Sequence, residues 1–108
     1  MGEQPWAPAD ATDRLRALAR DPDCELALSS HARDRLGQRD LTTADVLWVL
    51  KTGFVTSPPQ QVRSVGRFRY RIDGPAPNTG RRSIRVVVIP DEDRCMLFVV
   101  TVMWIDEG

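Results

Sequence analysis

The chain changes its hydrophobic period once, at Gly53, and that change fixes the order of its layers. Before it, apolar residues recur at helical spacing. Ala11, Leu15, Leu18 and Ala19 share one face, and Val46, Leu47, Val49 and Leu50 share another, with Trp48 at the margin. After it they alternate. Arg67-Phe68-Arg69-Tyr70-Arg71-Ile72 puts Phe68, Tyr70 and Ile72 on one side of a strand and three arginines on the other. Ser83 to Ile89 is β-branched, and Cys95 to Ile105 is apolar at successive positions, the pattern of a central strand covered on both faces. Turn-rich links, Asp73-Gly74-Pro75 through Asn78-Thr79-Gly80 and then Pro90-Asp91-Glu92-Asp93, join the three strands as an antiparallel meander. Helices followed by strands predict an α+β domain: two or three N-terminal helices packed on a twisted antiparallel sheet.

Local signals place the boundaries. Residues 1–9, with Pro5, Pro8 and a lone Trp6, read as a flexible arm, and residues 10–108 as one domain. Asp10 is a candidate cap for the first helix, which Asp21-Pro22 ends. Glu25 to Leu28 is either a brief strand or an extended lead-in. Ser29 and Ser30 offer a cap for a second helix, about His31 to Gln38. The third helix is the clearest: Thr42 at the N-cap, Asp45 at N3, Leu41 as a staple, Lys51 in the last turn and Gly53 as a left-handed stop.

At 108 residues, with 42% hydrophobic and 28% charged side chains, one globular core is expected and disorder is not. No apolar run approaches the roughly 18 residues of a membrane helix, and the N-terminus lacks the basic and apolar regions of a signal peptide, so a cytoplasmic domain without membrane contact is expected. Cys24, Cys95 and His31 are too few for a four-ligand zinc site. The cysteines read as small buried hydrophobes, able to pair only if folding brings them together. No metal site and no cofactor are expected.

The formal charge is zero, but residues 63–85 hold seven arginines against the single carboxylate of Asp73, a net +6. A GC-rich coding sequence accounts for an excess of arginine over lysine but not for this clustering, which favours anion binding. Arg67, Arg69 and Arg71 project from one side of a strand roughly 7 Å apart, and Arg85 joins them if the register permits. Such a row suits successive phosphates; it also suits a soluble sheet face or a protected edge. No aromatic platform for bases is evident beside these arginines.

The second cluster is helical. His31 and Arg35 lie at i and i+4, and Arg39 continues the line. An imidazole in a first turn sits where the helix dipole disfavours positive charge, so it could serve as a general base beside a guanidinium anchor. The competing reading is a cap or packing histidine beside a solvated arginine. Tyr70 is a substitute proton carrier only if its hydroxyl reaches the site, because it points away from the ladder. Thr101 is a polar residue inside an apolar strand, where a β-former is the plainer account. Trp6, Trp48 and Trp104, if exposed, would anchor a protein interface.

The string His31-Ala32-x-x-Arg35-Leu36-x-x-Arg39-x-Leu41-Thr42, then Asp45-Val46 and Leu50-Lys51-x-Gly53, resembles the domain of unknown function (DUF) 4258 family. Tyr70 to Gly74, Ile84 to Ile89 and Val99 to Val102 follow as its strands, so the likeness spans roughly residues 26–103. That family is similar to RelE/MqsR-like toxins of the barnase–EndoU–colicin–RelE fold, many of them metal-independent ribonucleases of bacterial toxin–antitoxin pairs. The resemblance implies a site where the first helices meet the sheet, with His31, Arg35, Arg39, Arg71 and Thr101 carried over. It departs from RelE in lacking a lysine-rich phosphate clamp. Two functions follow as expectations. One is endoribonuclease action by 2′-hydroxyl attack, with Arg39, Arg67, Arg69 and Arg85 holding phosphates. The other is a non-catalytic RNA- or protein-binding module. RNA and an antitoxin or immunity protein are the implied partners, with the oligomeric state left open.

Overall fold

Pro8 stands in the first turn of helix α1 (Pro8–Arg20), where its missing N–H has no intrahelical partner to lose. In the computed structural model, which describes residues 4–63, 67–80 and 82–106, the N-cap is therefore Ala7. Asp10 does not cap; it pairs with Arg14 one turn on, at 3.0 Å. Strand β1 (Glu25–Leu28) follows, then α2 (Ser30–Gln38), α3 (Thr43–Thr52), the two-residue β2 (Gln60–Gln61), β3 (Phe68–Pro75), β4 (Ser83–Asp91) and β5 (Met96–Trp104). The sheet order is β1-β5-β4-β3-β2. The β3–β4–β5 meander is antiparallel as expected. The sheet as a whole is mixed, because β1 pairs parallel to β5. Such a pair needs a long crossover, and the whole chain between the two strands supplies it.

One apolar core forms between the helices and one sheet face. Ala11 and Leu15 of α1, Ala32 and Leu36 of α2, and Val46, Val49 and Leu50 of α3 meet Tyr70, Ile72, Ile84, Val86, Val88, Val99 and Val102. Trp6 belongs to it. Its ring is 2% exposed and stacks on Tyr70 at 5.3 Å, and its backbone N–H donates to the Tyr70 hydroxyl at 2.8 Å. Residues 4–9 are thus anchored rather than a free arm, since an indole buries too much apolar area to stay in water; residues 1–3 lie outside the described residues.

No helix packs on the opposite sheet face among the described residues. It carries Arg69, Arg71 and Asp73 of β3, Arg85, Val87 and Ile89 of β4, and Phe98, Thr101 and Met103 of β5. β5 is accordingly buried on one face only, not both: Phe98 is 37% exposed. A β-bulge interrupts this strand. Val88 pairs with Val99 but Val87 pairs with Thr101, so Val100 is the extra residue.

Cys24 and Cys95 form a disulfide across a Cα–Cα distance of 4.5 Å, so they are not separate buried thiols. The parallel pairing explains this. Glu25 lies opposite Met96, and its N–H donates to the Cys95 carbonyl at 2.9 Å, which sets the residues preceding the two strands side by side.

α3 begins as its sequence predicts. Thr42 accepts from the Asp45 N–H while the Asp45 carboxylate accepts from the Thr42 N–H. Asp45 is fully buried, and it also binds the turn between β3 and β4, accepting from the Asn78 N–H at 3.1 Å. Burial alone would raise its pKa; the backbone and side-chain donors of Asn78 and Thr42 outweigh that and hold it below the ordinary 3.8. A depressed carboxylate stabilises the fold above the unfolded pKa, and that stabilisation is lost as pH falls through the folded value. Asp45→Asn is therefore expected to lower stability by about 0.5–2 kcal/mol near neutrality. Thermal denaturation should show a shallower acid dependence below about pH 4 than the parent.

Gly53 ends α3 with φ −77° and ψ −176°, an extended conformation rather than a left-handed one. Its glycine is required by space. A Cβ there would lie 2.6 Å from the carbonyl oxygens of both Asp73 and Val49, where α3 runs onto β3. Because both obstacles are backbone, Gly53→Ala is expected to destabilise by about 1–3 kcal/mol. Differential scanning calorimetry would read this as a drop of roughly 4–8 °C per kcal/mol.

Candidate functional site

Ser29 joins the second helix to the sheet. Its hydroxyl accepts from the Ala32 N–H at 2.9 Å, capping α2, and donates to the carbonyl of Val100 at 2.7 Å; its own N–H donates to the Val99 carbonyl at 2.9 Å. The first turn of α2 therefore starts beside the bulge of β5, next to Thr101. His31 lies in that turn and is exposed. Ala32 and Leu36 hold the other side of the helix in the core, which leaves His31, Arg35 and Gln38 along one flank.

Arg35 is the centre of that flank. Its Nε–H donates to Nε2 of His31 at 3.3 Å, and Nη1 donates to Gln38 Oε1 at 3.0 Å. Arg39, the C-cap, reaches the same Gln38 oxygen at 3.5 Å. Nothing in the sequence pattern marked Gln38 as a participant.

The arginine ladder resolves into two kinds of side chain. Arg85 is held by Asp73 in a two-pronged ion pair at 2.9 and 3.0 Å. The hydrogen bonds and charge of Asp73 raise its pKa above the ordinary arginine value, against the opposing effect of partial burial. Arg67 is bound to Asp91 at 3.1 Å. Arg71 has no hydrogen bond or ion pair among the described residues, and the Nε of Arg69 is shielded with no hydrogen-bond partner. Arg71 lies directly across from Val87, and Val87 from Thr101, so the three form a row that ends at the α2 junction. Two interstrand spacings, about 10 Å, separate the backbones of Arg71 and Thr101. Arg81 lies outside the described residues.

Tyr70 does not join this group. It is fully buried on the helix-covered face, and its hydroxyl accepts from the Trp6 N–H. Burial pushes its phenol above 10.0, against the opposing pull of that hydrogen bond, which leaves it poorly suited to proton exchange. The tryptophans divide too. Trp6 is in the core, Trp48 is 48% exposed beside Pro75, Ala76 and Pro77, and Trp104 lies half-buried under the guanidinium of Arg82 at 4.0 Å.

Phe98 went unnoticed in the sequence. It shares the ladder's face, and strict alternation along β5 hides this because the bulge lies between it and Thr101. Among the described residues, Asp21, Cys24 and Cys95 are the sole grouping with metal-ligand chemistry, and both sulfurs are engaged in the disulfide. No helix among the described residues is long and apolar enough to cross a membrane.

The model of a family described as a domain of unknown function matches residues 28–104. No curated protein and no solved structure gives a match. The matched span runs from the last residue of β1 to the last of β5 and takes in His31, Arg35, Arg39, the ladder and Thr101. It covers well over half of the chain, which therefore belongs to the DUF4258 family.

Proposed function

We propose that this domain cleaves RNA by intramolecular attack of a ribose 2′-hydroxyl on the adjacent phosphate. The observation that carries the reading is an exposed imidazole hydrogen-bonded to Arg35, on a helix whose first turn is pinned beside a sheet face bearing Arg71, which has no hydrogen bond or ion pair among the described residues. A phosphodiester arriving there competes for the Arg35 guanidinium and frees the Nε2 lone pair of His31. The imidazole then takes the 2′-hydroxyl proton as the 2′-oxygen bonds to phosphorus. The phosphorane collapses with loss of the 5′-oxygen, which is reprotonated, leaving a 2′,3′-cyclic phosphate and a 5′-hydroxyl. Arg35 and Arg71 supply the positive charge that the pentacoordinate state needs, with Arg69 next to Arg71 on the ladder and Thr101 between the two groups. The step draws its proton transfer and charge stabilisation from side chains, in keeping with the resemblance to metal-independent RelE/MqsR-like toxins. An antitoxin or immunity protein is the partner such a toxin calls for.

A second reading, a non-catalytic RNA-binding module, is favoured by one observation: no hydrogen bond or ion pair among the described residues joins the His31–Arg35 pair to Arg71. The two readings separate in one experiment. With a single-stranded oligoribonucleotide and a chelator present, the parent should yield cyclic-phosphate ends. His31→Ala should lose about 100- to 10,000-fold in rate with an unchanged melting curve. Cleavage retained in His31→Ala removes the imidazole from the mechanism. Binding without cleavage, weakened by salt and by Arg71→Ala, establishes the module instead.

A further inference from the structure

The helix-free sheet face carries an exposed aromatic ring where alternation along the strand places none. Phe98 pairs across the ladder with Ile89, and Ile89 is two residues from Val87, which pairs with Thr101. The ring therefore stands about 7 Å along the strand from Thr101, on the same face as Arg71. The bulge at Val100 produces this arrangement. Without it, Phe98 and Thr101, three residues apart, would point to opposite sides of the sheet. A phenyl group in the interior of a sheet, 37% exposed and flanked by a β-branched neighbour, presents a flat apolar surface to solvent. Across β4 on the same face, about 12 Å away between backbones, Arg71 has no hydrogen bond or ion pair among the described residues, whereas Arg67 and Arg85 are neutralised by Asp91 and Asp73.

Flat apolar surface on one face with a guanidinium is the chemistry of an unstacked nucleotide: a base on the ring and its phosphate on the arginine. We infer that Phe98, backed by Ile89, is a stacking platform for one base of single-stranded RNA, and that Arg71 binds the adjoining phosphate. The inference rests on the reading that this face meets RNA, and it narrows the substrate. A base paired inside a duplex is stacked on its neighbours and cannot lie on the ring, so the platform selects unpaired strands. A protein partner on the same face would need the ring for burial but would be indifferent to the pairing state of an RNA.

The test separates binding from chemistry. Affinities are measured for a labelled single strand carrying 2′-O-methyl groups, which cannot be cleaved, and for the duplex of the same sequence. Phe98→Ala should weaken single-strand binding about 5- to 150-fold, the equivalent of 1–3 kcal/mol. Phe98→Tyr should retain it, and duplex binding should be equal in all three proteins. An unchanged single-strand affinity in Phe98→Ala overturns the platform, as does an equal loss on strand and duplex. A parent protein that fails to bind the single strand at low salt overturns it as well. Cleavage of the unmodified strand is followed in parallel. A parent that discriminates strands through Phe98 yet cuts none keeps the platform and loses the catalytic reading. Cutting that depends on His31 but not on Phe98 does the reverse.

Discussion

Much of the site's geometry depends on a single hydroxyl. Ser29 Oγ accepts from the first turn of α2 and donates to the carbonyl of the extra residue in β5. A bulge leaves its carbonyl outside the regular ladder, and a helix start leaves N–H groups without intrahelical partners. Each defect supplies what the other lacks, and the serine between them satisfies both. The helix is thereby fixed at the point where the sheet's register changes. His31, two residues on, takes its position from this junction, and Thr101 is the first residue past the bulge.

Around that junction the charges are sorted rather than merely numerous. Arg85 and Arg67 are committed to carboxylates, and a paired guanidinium would have to give up that partner before it could hold a phosphate. Arg16 and Arg20 of α1 are occupied elsewhere, donating to the carbonyls of Gly53, Thr52 and Lys51 at the end of α3. These bonds satisfy the carbonyls that a helix leaves open at its C-terminus. The arginine richness of the chain thus serves partly as internal fastening, and few ladder guanidiniums are left over for a ligand.

The layer order was legible because it is written in local periodicity. The capping box at Thr42 and Asp45, the alternation of Phe68, Tyr70 and Ile72, and the meander all depend on near neighbours along the chain. The features that escaped depend on distant ones. Parallel pairing of β1 with β5, and with it the Cys24–Cys95 link, requires knowing where a strand near residue 26 lies relative to one near residue 97. Trp6 looked peripheral because nothing beside it in sequence shows that Tyr70 awaits it. In the site, the i, i+4 relation of His31 and Arg35 was visible, and the structure joins them. Which ladder arginines are neutralised was not visible, since Asp73 and Asp91 meet Arg85 and Arg67 only through folding. Gly53 was identified as a stop for the wrong reason: the backbone of β3, not a left-handed turn, excludes a side chain there.

The extra residue at Val100 also has an evolutionary corollary. It shifts the inside–outside phase of everything after it, so that Val102 faces the core and Met103 faces away. A family member lacking that residue alternates plainly through its final strand and still buries the same side, whereas one that keeps the residue but flattens the bulge turns every later side chain to the other face. Homologous positions on either side of this point therefore correspond in space only when a one-residue gap is allowed between them.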